Sequence, residues 1–186
     1  MKQPIPGHAP KEHAAKEFKA TEALRIIVAA ILIAFLITHF IVASTVVEGS
    51  SMEDTLHSGD RLFVFKQGIT AEGLHRGDIV VFHAPDENRD YIKRVVALPD
   101  EYVQIEDGMV YINGKRLEES YIKTRFTHAA KNASWLVGKD QLFVLGDNRQ
   151  EGASRDSRYF GTISVKSIVG RAVSVSYTHL RAHETS

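Results

Sequence analysis

The chain has 186 residues, room for one domain of roughly 100 to 200 residues with appendages, and its 23 Lys and Arg balance 23 Asp and Glu. No net field therefore favours a nucleic acid or another polyanion. There is no cysteine, which excludes disulfides, thiol catalysis and Cys-based zinc sites.

Residues 1–23 carry prolines, histidines and many charges without an apolar stripe, the composition of a mobile cytoplasmic tail. Leu24 to Ala43, LRIIVAAILIAFLITHFIVA, follows and is free of charge from Ile26 onward. At about 1.5 Å per residue the charge-free part reaches roughly 27 Å, close to the ~30 Å hydrocarbon core of a bilayer. A buried core helix and a cleavable export signal are the alternatives. The first rarely runs so long without a charge, and the apolar region of the second is usually about 7 to 15 residues. The run reads as an uncleaved transmembrane anchor, with His39 near an interface. Lys2, Lys11, Lys16, Lys19 and Arg25 precede it, whereas Glu48, Glu53 and Asp54 come first after it. The positive-inside tendency then leaves the N-terminus in the cytoplasm and residues 44–175 on the far side of a single-pass plasma membrane.

Beyond the anchor the pattern turns to β. RLFVFK, DIVVFHA, YIKRVVAL, YVQIEDGMVYING, QLFVLGD and ISVKSIVGRAVSV are short runs rich in β-formers, bounded by Gly, Asp, Asn and Pro. Glu106-Asp107-Gly108 and Asn113-Gly114 are hairpin signals, the Asn-Gly pair the stronger because both of its residues tolerate positive φ. Residues 115–139 have weaker strand patterning and read as a small cap-like excursion, the part of the outer domain freest to move. Residues 176–186, SYTHLRAHETS, break the β pattern and read as a non-native tail. The expected fold is a mostly β, antiparallel catalytic domain behind one transmembrane helix.

Ser51, in EGSSMEDTLHSGD, has two readings. Ser51-Met52-Glu53-Asp54 fits a helix-capping box, in which the hydroxyl accepts a backbone N–H. Alternatively Ser51 is a nucleophile, and then it needs a base. Of the nine histidines, His57, His75, His83 and His128 lie in the β domain and are each open to a Ser-His-Asp role; none has metal-ligand spacing. Lys93 is the other candidate. Strand alternation puts it on one face with Tyr91, Val95 and Ala97, which would desolvate it. A base working near pH 7 to 8 needs a lysine pKa about 3 units below its usual value of about 10.4, and burial can supply that. The alternative is a strand lysine snorkelling to the sheet edge. The polar run LGDNRQEGASRDSRYFG, Leu145 to Gly161, is by itself a set of surface turns.

Taken in order after one anchor, VEGSSMEDTLHSGD, RGDIVVFHAP, YIKRVVALP and GDNR followed by SRDSRYFG resemble the type I signal peptidases, in particular the small bacterial single-anchor members. The resemblance covers about Leu24 to Ser174. It implies a Ser/Lys dyad with Ser51, just before Met52, as nucleophile and Lys93 as general base. The Ser51 backbone N–H would contribute to an oxyanion hole, and Gly49 stands where some members place a serine donor. Ser154 matches the serine that orients the lysine, Asp156 and Arg158 a supporting ion pair, and Asp147, Asn148 and Arg149 scaffold residues. Three departures stand out. Asp54 replaces a proline and adds a charge that would favour protonated Lys93. Ala97, Asp100 and Glu101 replace the family residues around Pro99, and loss of the glycine there disfavours a type II turn while leaving type I open. The spacing between GDNR and Ser154 is about two residues longer.

The expectation is a membrane-anchored serine endopeptidase that removes signal peptides from exported preproteins, a monomer working beside the lipid bilayer without nucleic acid, metal or cofactor. Its rivals are a silent paralogue acting as a membrane-anchored binding protein and a self-cleaving, repressor-like Ser/Lys peptidase of the same fold.

Overall fold

The structure, a computed structural model, describes residues 20–53, 55–131 and 133–176, with side chains for all of these except 37–40 and 174–176. Asp54, the expected tail before residue 20 and the stretch from 177 onward lie outside the described residues. The chain divides into two units after Leu36.

Helix α1, Ala20–Phe40, is rich in Ala, Leu and Ile and has no Gly or Pro, so no strong helix breaker interrupts it. Its apolar residues do not gather on one face. Ile26, Ile27 and Val28 step around the axis and are all more than half exposed, at 56%, 55% and 57%. Among the described residues no helix is long and apolar enough to cross a membrane. The described side chains of α1 stop at Leu36, roughly 24 Å from Ala20 at about 1.5 Å per residue. The helix also ends before the apolar run does, since Val42 and Ala43 already belong to a strand.

That strand, β1 (Val42–Val46), pairs with β2 (Arg61–Phe65), and the turn between them carries Ser51. The chain continues through β3 (Ile79–His83), β4 (Asp90–Ala97), β5 (Tyr102–Glu106), β6 (Met109–Ile112), β7 (Lys115–Arg116), β8 (Ala133–Leu136) and β9 (Gln141–Leu145). A short helix α2 (Ser157–Phe160), β10 (Ile163–Ser164) and β11 (Ile168–Ser176) complete it. Among the described residues the main sheet has seven strands in the order β1-β2-β11-β3-β4-β9-β10, and a second sheet has four in the order β7-β6-β5-β8. Every strand pair among the described residues is antiparallel.

Local chemistry explains most boundaries. Asp107 and Gly108 have φ of 47° and 74°, and Asn113 and Gly114 have 51° and 76°, the doubly positive turns that their side chains tolerate. The expected strand ISVKSIVGRAVSV is in fact broken: Val165–Ser167 form a single 3-10 turn between β10 and β11, in which the Lys166 N–H donates to the Ser164 hydroxyl. The turn after Pro99 also departs from expectation. Asp100 sits at φ 62°, so it keeps the left-handed backbone that a glycine would adopt freely, at a cost of about 1 kcal/mol. Glu101 compensates by accepting the Leu98 N–H at 2.7 Å and pairing with Arg76 at 2.6 Å.

Strand β4 touches all three apolar clusters. Tyr91 and Val95 pack with Val80, Phe82, Leu142 and Val144. Ile92 packs against the cluster of Val47, Met52, Leu56, Leu62, Val64 and Val81. Val96 and Ala97 both join Val103, Ile105, Phe143 and Leu145, which ties the two sheets together. Strict alternation would have put Ala97 beside Lys93, but the β4–β9 register slips between Val95 and Ala97 and turns Ala97 to the other cluster.

Candidate functional site

Ser51 reaches its position through the residues that follow it. Met52 and Leu56 are 1% and 0% exposed in the cluster under β2, and burying each such side chain stabilises by about 1.5–3 kcal/mol. Thr55 and Leu56 return their N–H groups to the Met52 carbonyl at 2.8 and 2.9 Å. The segment is therefore a tight turn pinned by its apolar side chains, with no regular helix assigned to it among the described residues. On the other side Gly49 has φ 88°, a backbone that favours glycine and would strain a serine.

Lys93 lies in β4 opposite Val80 of β3. Its residue is 4% exposed, and its Nζ donates to Ser51 Oγ at 2.8 Å and to the Ile92 carbonyl at 2.9 Å. The Tyr91 ring centroid is 5.2 Å from Nζ. Burial lowers the Lys93 pKa from 10.5 to about 8, outweighing the carboxylates of Asp156 and Asp147, which favour the charged form; Arg89 and Arg158 push in the same direction as burial. The four histidines of the β domain are engaged elsewhere: His57 faces Asp60, His75 faces Asp78, His83 faces Asp90, and the His128 ring packs on Phe126.

The GDNR run forms the floor beneath this pair. Asn148 donates its backbone N–H to the Ser51 carbonyl at 3.1 Å and its side-chain amide to the Ser50 carbonyl at 3.2 Å. Gly146 is needed for that approach: a Cβ there would stand 2.4 Å from the Ser51 carbonyl oxygen and 2.2 Å from Ser154 Oγ. Asp147 is gripped by Arg94, Nε to Oδ1 at 2.9 Å and Nη2 to Oδ2 at 2.6 Å, and accepts the Thr55 hydroxyl. Arg149 is fully buried. It donates to the Gly146 carbonyl at 2.7 Å, to Thr127 at 3.0 Å and to both oxygens of Glu119. The excursion at 115–139, expected to be the freest part, thus supplies buried partners to the centre.

Ser154 is 2% exposed and gives its hydroxyl to Asp156 at 2.7 Å, while the bonds of Lys93 run to Ser51 and Ile92. Asp156 also accepts the Gly146 N–H at 3.0 Å, caps α2 and pairs with Arg158 at 2.7 and 2.8 Å. Ser154 and Asp156 therefore lie against Gly146, the first residue of that floor. Among the described residues no group of three His, Cys, Asp or Glu could hold a metal ion.

A groove of about 560 Å³ opens over Ser51 and Lys93, walled by residues 45–52 on one side and 89–93 on the other, with Gly152, Ala153 and Arg155 completing it. On the sheet side, β9 pairs with β4 from Arg94 onward, so among the described residues the Asp90–Lys93 stretch is paired to β3 on its other edge alone. A buried amine against a hydroxyl, beside an unpaired strand edge, is an arrangement suited to nucleophilic attack on an extended peptide.

Thr55, Arg94, Gly146, Glu119 and Tyr121 were not singled out as site residues from sequence. For Arg94 and Gly146 a signal existed, since each adjoins a residue that was: a cation next to Lys93 on the opposite strand face, and a glycine directly before Asp147. Glu119 and Tyr121 had none.

The family pattern described as "Signal peptidase, peptidase S26" matches residues 20–177. Signal peptidase I of Bacillus licheniformis is 40% identical over 133 residues, covering 67% of this chain and 70% of its own. Signal peptidase IB of Staphylococcus aureus (strain COL) is 36% identical over 141 residues, covering 67% and 72%. Among solved structures, a signal peptidase I from Enterococcus faecalis V583 is 32% identical and aligns over 53% of this chain and 95% of its own with a TM-score of 0.46.

Proposed function

The chain belongs to the signal peptidase family, peptidase S26, and from that premise we propose that this serine peptidase cleaves signal peptides from exported preproteins with Ser51 as nucleophile and Lys93 as general base. The observation that carries the reading is the 2.8 Å contact between a buried Lys93 Nζ and Ser51 Oγ. Neutral Lys93 takes the Ser51 proton as Oγ attacks the scissile carbonyl. The tetrahedral intermediate collapses to an acyl-enzyme as Lys93 returns that proton to the leaving amine, and the base then draws a proton from water for deacylation. The Ser51 N–H serves the oxyanion, and Gly49 adds no side-chain donor. The substrate lies as an added strand along Asp90–Lys93, with small residues at the first and third positions before the cut. Ser154 acts through Asp156 and Gly146 on the floor of the turn.

The apolar run from Leu24 is the anchor in this reading, with the N-terminus cytoplasmic and the β domain outside the plasma membrane. The charge-free sequence and the exposure of apolar side chains on successive positions of α1 support it. Such a tether confines enzyme and membrane-held preprotein to one surface.

The test uses detergent-solubilised protein and a preprotein with an Ala-x-Ala site. Ser51→Ala and Lys93→Ala are each expected to lose at least about 10³-fold in rate. Undiminished cleavage in either variant would sink the dyad, and no cleavage by the parent protein would favour the silent-paralogue reading.

A further inference from the structure

The excursion between β7 and β8 contributes two side chains that touch the two ion pairs flanking the Ser51 turn. Glu119 points inward with its side chain 5% exposed and binds Arg149 through both oxygens. Two residues on, Tyr121 donates its hydroxyl to Glu119 Oε1 at 2.7 Å and lays its ring under Arg94, whose guanidinium carbon is 4.1 Å from the ring centroid. Burial and the Glu119 charge push the Tyr121 pKa up, which keeps its hydroxyl a donor.

Two routes lead from Tyr121 to Ser51. Through its ring it holds Arg94, which grips Asp147, which accepts the Thr55 hydroxyl; Thr55 closes the turn that begins at Met52. Through its hydroxyl it orients Glu119, which holds Arg149 against the Gly146 carbonyl, next to the Asn148 N–H that fixes the Ser51 carbonyl. Arg94 is also the chain neighbour of Lys93, so the first route bears on both members of the pair. The flat guanidinium has many rotamers, and a ring against one face with a carboxylate at its edge selects one of them.

We propose that Tyr121, oriented by Glu119, is a positioning residue that holds Ser51 and Lys93 in register by clamping Arg94 onto Asp147. The inference rests on the Ser51/Lys93 reading above. It predicts a defect in turnover rather than in substrate binding, because Tyr121 is not among the residues lining the groove over Ser51.

The experiment compares Tyr121→Phe, Tyr121→Met, Glu119→Gln and the exposed neighbour Ser120→Ala in the full, detergent-solubilised chain, with kcat and KM for preprotein cleavage and a thermal melt of each. Tyr121→Met and Glu119→Gln are expected to lose about tenfold or more in kcat with KM within twofold, while Tyr121→Phe, which keeps the ring, recovers most of the loss and Ser120→Ala matches the parent. Should Tyr121→Met fail to fold, Tyr121→Leu, which also removes the ring face, decides by the same criterion. A folded Tyr121→Met with parental kcat, a change confined to KM, or a Tyr121→Phe as impaired as Tyr121→Met overturns the proposal. Ser51→Ala, run alongside, separates the two levels: retained cleavage in that variant overturns the dyad itself, whereas a dead Ser51→Ala beside a fully active Tyr121→Met overturns the positioning role alone.

Discussion

Two sets of ion pairs surround the Ser51–Lys93 contact, alike in chemistry and opposite in setting. In the interior, Arg94–Asp147, Arg149–Glu119 and Arg158–Asp156 have side chains between 0% and 11% exposed. Around the groove, Arg89–Glu87 and Arg155–Asp86 have side chains between 20% and 64% exposed. An exposed pair typically contributes about 0–1 kcal/mol, since water and salt screen it. A buried pair has lost its hydration, so its net contribution is small while both partners are present and the penalty is large when one is removed. The interior set therefore acts chiefly by fixing geometry: each of its carboxylates also accepts a hydroxyl, from Thr55, Tyr121 or Ser154. The rim set borders the groove over Ser51 and Lys93.

The largest effect is expected from breaking the interior set. Asp147→Ala leaves Arg94 buried without its carboxylate and frees Thr55, and should cost about 3–5 kcal/mol in urea unfolding of the detergent-solubilised chain. A loss below about 1 kcal/mol would mean that Arg94 behaves like a rim residue.

Lys93 sharpens the contrast, as a buried cation whose hydrogen bonds go to a hydroxyl and a carbonyl rather than to a carboxylate. Below pH 8 the folded and unfolded chains both carry its proton, and the fold bears the cost of the buried ammonium. As pH rises from about 8 toward 10.5 the folded form is already neutral while the unfolded chain still binds the proton, so stability climbs by about 3 kcal/mol. Stability measured across that window should rise in the parent and lose this component in Lys93→Met. Activity should follow the neutral amine, with kcat/KM rising through an apparent pKa near 8. A profile flat from pH 7 to 9 would count against Lys93 as the base.

Gly146→Ala tests how closely the floor approaches the turn. With Ser51 O and Ser154 Oγ in the way, it should destabilise by about 1–3 kcal/mol and reduce kcat more than it raises KM. At the small end, Arg155→Gln should change stability by less than about 1 kcal/mol, and that difference should shrink in high salt. A salt-independent loss would show that the rim pair is structural after all.

Much of this was readable in the residues. The strand runs from RLFVF to QLFVL and the Asp107-Gly108 and Asn113-Gly114 turns stand where reading predicts, and the candidates Ser51 and Lys93 lie 2.8 Å apart. The short or weakly patterned strands β1, β7 and β8 were not read, because β1 is continuous with the apolar run and β7 has two residues. Nor was the turn at Asp100, where contacts from Glu101 and Arg76 outweigh a local preference. Asp54, the departure nearest Ser51, lies outside the described residues.

By itself the sequence determined what depends on a residue and its immediate neighbours: which runs extend, which pairs tolerate a positive φ and where charge is absent. The tertiary structure alone decided who meets whom. Arg149 could be buried only because Glu119 and Thr127, 30 and 22 residues earlier in the chain, come back to it. Gly146 matters only because the Ser51 carbonyl arrives from a distant turn, and Ala97 leaves the face of Lys93 only because β9 slips beside β4. Backbone preference is set within a few residues and can be read from them. The partners that neutralise a buried charge come from distant parts of the chain, and which of them arrive is settled when the sheets pack.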